Sequence, residues 1–148
     1  MPEKMTIERA RRAKRAGKAP STQAGEFVRE EIEHVREGKH GVRSTKQAIA
    51  IGLSKARRAG IELPPPQKGK ASEATRRKAE RDLEKGSEAK KPSARRSRAT
   101  TQALKRERQA PASRKARSRQ AGVAAGKRSH TERSTAARKA ARTRKAMK

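Results

Sequence analysis

An all-α fold is predicted: a small helical hairpin head followed by a largely disordered basic tail that forms isolated helices. Three observations predict it. Two neighbouring segments space their apolar residues at three and four, between clear helix start and stop signals. The large apolar residues of this 148-residue chain are concentrated before Pro64. Beyond Gln67 the sequence becomes a low-complexity mixture of Ala, Lys, Arg, Ser and Thr. With 43 Lys and Arg against 15 Asp and Glu, a net charge of +28 and only 30% hydrophobic residues, most of the chain has too little apolar surface to offset the entropy of ordering it.

Residues 1–20 read as a basic N-terminal helix or arm. Within them, residues 6–17 offer Thr6 as a cap, Glu8 in the first turn, bases later and Gly17 as a stop, in keeping with the helix dipole. Ile7 is the only large apolar residue there, so this helix is expected to be mostly exposed.

Residues 21–63 form the predicted hairpin domain. Its first helix runs from a Ser21 or Thr22 cap to about Val35 or Glu37, with Ala24, Phe27, Val28, Ile32 and Val35 along one stripe and Gly38 as the stop. Glu26, Glu30, Glu33 and Glu37 lie mainly off that stripe, which predicts an acidic outer surface. The second helix opens on a capping box, Ser44 with Gln47 three residues later. It continues through Ala48, Ile49, Ile51, Leu53 and Ala56 to Gly60, whose left-handed conformation would bring Ile61 back onto Ala56. Paired antiparallel, the two helices hide both stripes. Such a hairpin is marginal alone, so it is expected to pair as a homodimer, borrow the first helix or tighten on a partner.

Residues 64–70 are a Pro-rich linker, because Pro64, Pro65 and Pro66 prohibit helix and favour an extended spacer. Residues 71–148 are the disordered cationic tail. Residues 67–148 hold 28 bases against seven acids, and from Ala89 onward only Glu107 and Glu132 interrupt 21 bases. Like-charge repulsion suppresses the helix propensity of Ala, Lys and Arg until a polyanion relieves it. Residues 72–85, 99–109 and 131–147 are therefore candidates for folding on binding.

The chemistry this pattern supports is phosphate neutralisation with release of condensed counterions, which carries no base information. The candidate nucleic-acid-binding residues are Arg95, Arg96, Arg98, Lys105, Arg106, Arg108, Arg114, Lys115, Arg117, Arg119, Lys127, Arg128, Arg138, Lys139, Arg142, Arg144 and Lys145. With one Phe and no Tyr or Trp there is little to stack single-stranded bases on, which tilts the partner toward duplex DNA. An anionic membrane surface is the rival for a polybasic tail, but it would want large apolar residues interspersed. No membrane partner and no small-molecule substrate is expected.

Catalysis has little support. Glu31 and His34 spell Glu-x-x-His, but that spacing needs further carboxylates from facing helices, and both residues are expected at the surface. Absent cysteine removes thiol chemistry and thiolate ligands. The loop around Gly38 and Gly41 lacks the ordered phosphate-loop pattern. A milder reading survives there: Lys39, Arg43 and Lys46, beside the helix start at Ser44, could hold one backbone phosphate, although a capped turn needs no ligand. No enzyme activity, cofactor or metal is expected, and the cytoplasm or nucleoid is the expected location.

The segment EFVREEIEHVREGKHGVRSTKQAIAIGLSKARRAG, residues 26–60, resembles a small bacterial domain of unknown function. The resemblance rests on Ser44, Lys46, Gln47, Ala48, Ile49, Ala50, Ile51, Gly52, Leu53, Ser54, Ala56, Arg57, Ala59 and Gly60, in the order Ser-x-Lys-Gln-Ala-Ile-Ala-Ile-Gly-Leu-Ser-x-Ala-Arg-x-Ala-Gly. That domain has no established activity and is often found in short basic proteins thought to bind DNA, so the resemblance assigns no activity and implies a DNA partner. The tail is similar in composition to histone-like Ala/Lys/Arg-rich tails, with more Arg than linker histones use. Together these readings predict a sequence-tolerant, nucleoid-associated DNA-binding protein. An RNA-binding or ribosome-associated basic protein is the first alternative, and a protein-interaction adaptor with a tethering tail is the second.

Overall fold

The computed structural model describes residues 2–88 and 93–146, and every regular element among them is helical. Two compact units divide the chain, residues 1–113 and 114–148. The first contains α1 (Lys4–Arg15), α2 (Pro20–Arg36), α3 (Thr45–Arg58), α4 (Glu73–Ser87), α5 (Ala94–Lys105) and a short 3₁₀ turn, Ala110–Ala112. The second contains α6 (Arg114–Gly126) and α7 (His130–Ala146).

The antiparallel pairing of α2 with α3 is the centre of the first unit. The start of α2, through Ala24 and Phe27, packs with Leu53 and Ala56 near the end of α3, while Ile32 and Val35 pack with Ala48 and Ile51 near its beginning. The buried face of α3 is Thr45, Ala48, Gly52 and Ala56, one strip of small side chains. Gly52 marks the closest approach, because a Cβ there would stand 2.6 Å from the Val28 Cα. The expected stripe of isoleucines is thus displaced: Ile49, Ile51 and Leu53 are half-buried flanks around a small-residue centre.

Both ends of α3 follow the sequence signals. Ser44 Oγ accepts from Gln47 N at 3.2 Å, and Gln47 Oε1 accepts from Arg43 N at 2.7 Å. Gly60 has φ +84°, and Ile61 N donates to Ala56 O at 3.1 Å, which returns Ile61 to the core beside Ala56. The end of the first helix differs from expectation. α2 begins at Pro20 rather than at a Ser21 or Thr22 cap, since proline at the first helical position has its φ preset and lacks a donor to satisfy. α1 likewise begins at Lys4. Thr6 is a buried residue inside it rather than its cap, and Ala10 and Ile7 pack with Phe27.

The disordered tail expected from residue 71 onward is the main correction. Residues 71–113 belong to the first unit, and all of 72–85 is helical or caps a helix. α4 packs on α3 through Ala79 and Asp82, both buried. Asp82 Oδ1 and Oδ2 each accept at 2.7 Å, from Arg58 Nε and Ser54 Oγ respectively, so the carboxylate is neutralised and hydrogen-bonded where it is buried. Gly86 lies against the Arg57 carbonyl, a contact with no room for a side chain. Arg57, itself buried, donates from Nε to Leu63 O at 3.0 Å and from Nη2 to Pro64 O at 3.1 Å, pinning the start of the proline spacer beneath α4.

Residues 104–113 return to the hairpin as well. Gly41 N donates to Leu104 O at 2.9 Å and Val42 N to Arg108 O at 2.8 Å. Thr45 Oγ1 donates to Pro111 O at 2.6 Å, and Ala112 is fully buried among Ile32, Val35, Val42 and Ala48. The hairpin therefore borrows α1, α4 and the 3₁₀ turn from its own chain to cover its apolar stripes. Residues 99–109, expected as one helix on binding, instead end helical geometry at Lys105 and turn inward. α6 and α7 cover residues 114–146 as helices without one buried residue, rather than as disordered chain, in keeping with their Ala, Arg and Lys content.

The Gly52 contact generates a stability prediction. Gly52→Ala places a methyl group against the α2 backbone and is expected to destabilise the protein by about 1–3 kcal/mol despite the better helix propensity of Ala. Urea unfolding checks this. An unchanged or raised midpoint would show that the two helices can separate at no cost.

Candidate nucleic-acid interface

Bases and acids are unevenly matched along the chain. In α1 to α4, six of the seventeen bases answer a carboxylate: Arg9 with Glu26, Arg29 with Glu33, Lys55 with Glu31, Arg58 with Asp82, Arg76 with Glu73 and Glu80, and Arg77 with Glu73. From α5 onward the pattern stops. None of the seventeen candidate bases from Arg95 to Lys145 forms an ion pair with a carboxylate among the described residues. Sixteen of them are exposed, and Arg117 is half-buried. The second unit alone holds thirteen bases and one acid, Glu132.

Helical periodicity sorts these bases into faces. On α7, Arg138, Arg142 and Lys145 stand at i, i+4 and i+7 and share one side, with Lys139 and Arg144 flanking it. On α5, Arg95, Arg98 and Lys105 fall within one arc and Arg96 lies off it. On α6, Arg114 pairs with Arg117 and Lys115 with Arg119 along two adjacent rows. Arg106 and Arg108 lie in the turn after α5, and Lys127 and Arg128 in the turn after α6. A helix ridge of this kind presents bases about 5–6 Å apart, close enough for neighbours to engage successive phosphates.

The loop before α3 is arranged differently from the phosphate cradle considered for it. Lys39 Nζ lies 3.1 Å from Glu3 Oε1 and 3.0 Å from Glu37 Oε2, and these hydrogen bonds raise its pKa. Arg43 Nε bonds Glu107 Oε1 at 2.7 Å, which raises the guanidinium likewise. Only Lys46 of the three is exposed with no carboxylate partner. Residues 104–109 cover the other side of the loop: Gly41 touches the Glu107 backbone so closely that no Cβ would fit, and a Cβ on Gly38 would stand 2.9 Å from Gln109 Nε2.

The expected acidic outer face of α2 is partly buried. Glu30 is 3% exposed and Glu31 is fully buried, because α1 and Lys55 of α3 cover that side. His34 and His40 stand beside them, with side chains 13% and 11% exposed. The expectation that Glu31 and His34 are surface residues is therefore wrong. Residue type alone placed both at the surface, whereas Glu31 stands four residues after Phe27 and four before Val35, on the apolar stripe; that position, with Lys55 on the facing helix, was the signal for a buried carboxylate.

Residues 5–68 match the model of a family of unknown function (DUF6496). The matched stretch is α1, α2, α3 and the proline spacer, so it ends before α4, and this domain of unknown function is all-α. No curated protein and no solved structure matches the chain. Among the described residues no helix is long and apolar enough to cross a membrane.

The loop contacts predict where stability resides. A chain ending at Ala103 is expected to be roughly 2–4 kcal/mol less stable than one ending at Ser113. It loses three hydrogen bonds of about 1 kcal/mol each and uncovers Val42 and Val35. Urea unfolding of the two chains decides it. Equal midpoints would show that residues 104–113 do not hold the hairpin.

Proposed function

We propose that the protein is a non-enzymatic, sequence-tolerant DNA-binding protein of the nucleoid-associated type, which grips the phosphate backbone through the bases of α5 to α7. The observation that carries this reading is that none of the seventeen bases from Arg95 to Lys145 has a carboxylate partner, whereas six of the seventeen bases in α1 to α4 do. Thirteen bases and one acid in 35 residues far exceed what solubility requires. Their self-repulsion is relieved by a polyanion. Each base placed on a phosphate releases condensed counterion.

Duplex DNA is favoured over single strands by the fate of the one aromatic residue. Phe27 is 1% exposed in the core between α1, α2 and α3, so it offers no platform for a base. Backbone contact by Arg and Lys then supplies the affinity, and the ribbon of bases on α7 is matched to no particular sequence. The head of α1 to α4 serves as the folded body that carries this surface.

Titration of nucleic-acid-free protein with duplex DNA, structured RNA and anionic vesicles at several salt concentrations tests the reading, with residues 1–113 alongside. With about ten bases engaged, affinity for DNA is expected to fall by roughly 10³ to 10⁵ between 50 and 200 mM salt. The triple change Arg138→Ala, Arg142→Ala, Lys145→Ala should lower the slope of log affinity against log salt by up to about 2.7. Affinity indifferent to salt, or retained in full by residues 1–113, would overturn the assignment. A strong preference for structured RNA would replace DNA with RNA as the partner.

A further inference from the structure

Beside the buried carboxylate of α2 is an arrangement that nucleic-acid binding does not use. We propose that Glu31, His34 and His40 form a binding site for a transition metal ion of the zinc class. One donor atom from each residue lies within 4.8 Å of the other two. Glu31 and His34 sit one turn apart on α2, and His40 enters from the loop before α3. The two imidazole rings meet edge to face at 83°, with centroids 6.3 Å apart.

The hydrogen bonds around the three side chains already select the form that binds a cation. His40 Nδ1 lies 3.1 Å from Gly41 O. A carbonyl oxygen only accepts, so Nδ1 carries the proton and the lone pair of the neutral ring is on Nε2. That Nε2 stands 3.2 Å from Glu31 Oε1, a second lone-pair atom. Glu31 is fully buried, and its Oε1 has no hydrogen-bond partner, since a neutral ring protonated on Nδ1 offers it no donor. Two donors in tetrahedral coordination with bonds of 2.0–2.1 Å stand about 3.4 Å apart, so this pair is already at coordination distance. The third donor, from His34, lies within 4.8 Å of both and has to move inward to complete the set.

Outer contacts orient each donor in the way metal sites require. Glu3 Oε1 accepts from His34 Nε2 at 2.8 Å, which in a neutral ring leaves the lone pair on Nδ1. Lys55 Nζ donates to Glu31 Oε2 at 2.7 Å, fixing that carboxylate with Oε1 turned toward His40. The charged groups that face the cluster are Glu3, Glu30 and Glu31 against Lys39 and Lys55, with Glu37 also on Lys39. With neutral imidazoles the cluster is thus net negative inside a chain of net charge +28. Two imidazole nitrogens and one carboxylate oxygen suit zinc or cobalt. Magnesium and calcium prefer all-oxygen sites.

Zinc chloride titrated into nucleic-acid-free full-length protein against a competing chromophoric chelator, and cobalt chloride followed by visible absorption, test the assignment. The expected result is one equivalent of zinc per chain, a raised Tm, shifted ring resonances of His34 and His40, and the visible bands of nitrogen- and oxygen-ligated cobalt. His40→Gln and His34→Gln should each weaken binding by at least about tenfold, and the orienting change Glu3→Gln by about 10- to 100-fold. His130→Gln should leave it unchanged. Absence of saturable zinc binding, binding undiminished in the His34→Gln, His40→Gln double variant, or ring shifts confined to His130 would each overturn the proposal. Should circular dichroism show a His→Gln variant unfolded, the ring resonances of the unaltered protein decide the question.

Discussion

The close crossing of α2 and α3 at Gly52 is the constraint on which the rest of this structure depends. A protein with 30% hydrophobic residues, whose buried apolar core is more than half Ala, cannot rely on bulk to fill the space between helices. It reduces the space instead. With Thr45, Ala48, Gly52 and Ala56 as the buried strip, the backbones approach until Val28 touches the Gly52 main chain, and the few large residues become flanks on both sides. Those flanks define two small clusters. Phe27 gathers α1 and Ile61 at one end, and Val35 and Val42 gather the 3₁₀ turn at the other. Packing at interior density with small residues gives a firm helix pair but leaves the faces beyond it thinly covered.

That thin cover explains why polar contacts do so much of the remaining assembly. α4 docks on α3 through one alanine and one aspartate, and the aspartate satisfies both oxygens on Ser54 and Arg58. Residues 104–113 dock mainly through backbone carbonyls offered to Gly41 N, Val42 N and Thr45 Oγ1. Burying a charge is costly unless it is paired and hydrogen-bonded, so each of these contacts also specifies one arrangement. Asp82 has its partners only with α4 seated, and Glu31 has Lys55 only with α2 and α3 in register.

The hairpin was legible in the sequence for the same reason it is firm. Ser44 with Gln47, Gly60 with Ile61, and the spacing of Phe27, Ile32 and Val35 are local signals, read within one helix length, and all of them are found in the fold. The contribution of residues 71–113 was not legible. Ala79, Asp82, Pro111 and Ala112 form no apolar stripe, and what docks them is main-chain geometry and one ion pair across 24 residues of sequence, to which hydrophobic periodicity is blind. The candidate interface divides in the same way. The exposed bases of α5 to α7 follow directly from composition, whereas the engagement of Lys39 and Arg43 by Glu3, Glu37 and Glu107 needed the fold.

The placement of acids gives the final argument about charge. Fifteen carboxylates in a strongly basic chain could have been scattered to dilute repulsion everywhere. Eight of them precede residue 67, and Glu3, Glu30, Glu31, Asp82 and Glu107 are used to join segments distant in sequence. Acids therefore work as internal ties in the folded unit, and the bases of the C-terminal helices are left without them. A Coulomb attraction between exposed groups is weak and screened by salt, whereas one at a buried carboxylate is not. The two populations of charge should thus respond differently to ionic strength: ties such as Lys55 with Glu31 persist, while the proposed grip of the uncompensated face on a polyanion weakens as counterions compete. On the proposed reading, a protein divided in this way keeps its fold at salt concentrations that release a polyanion.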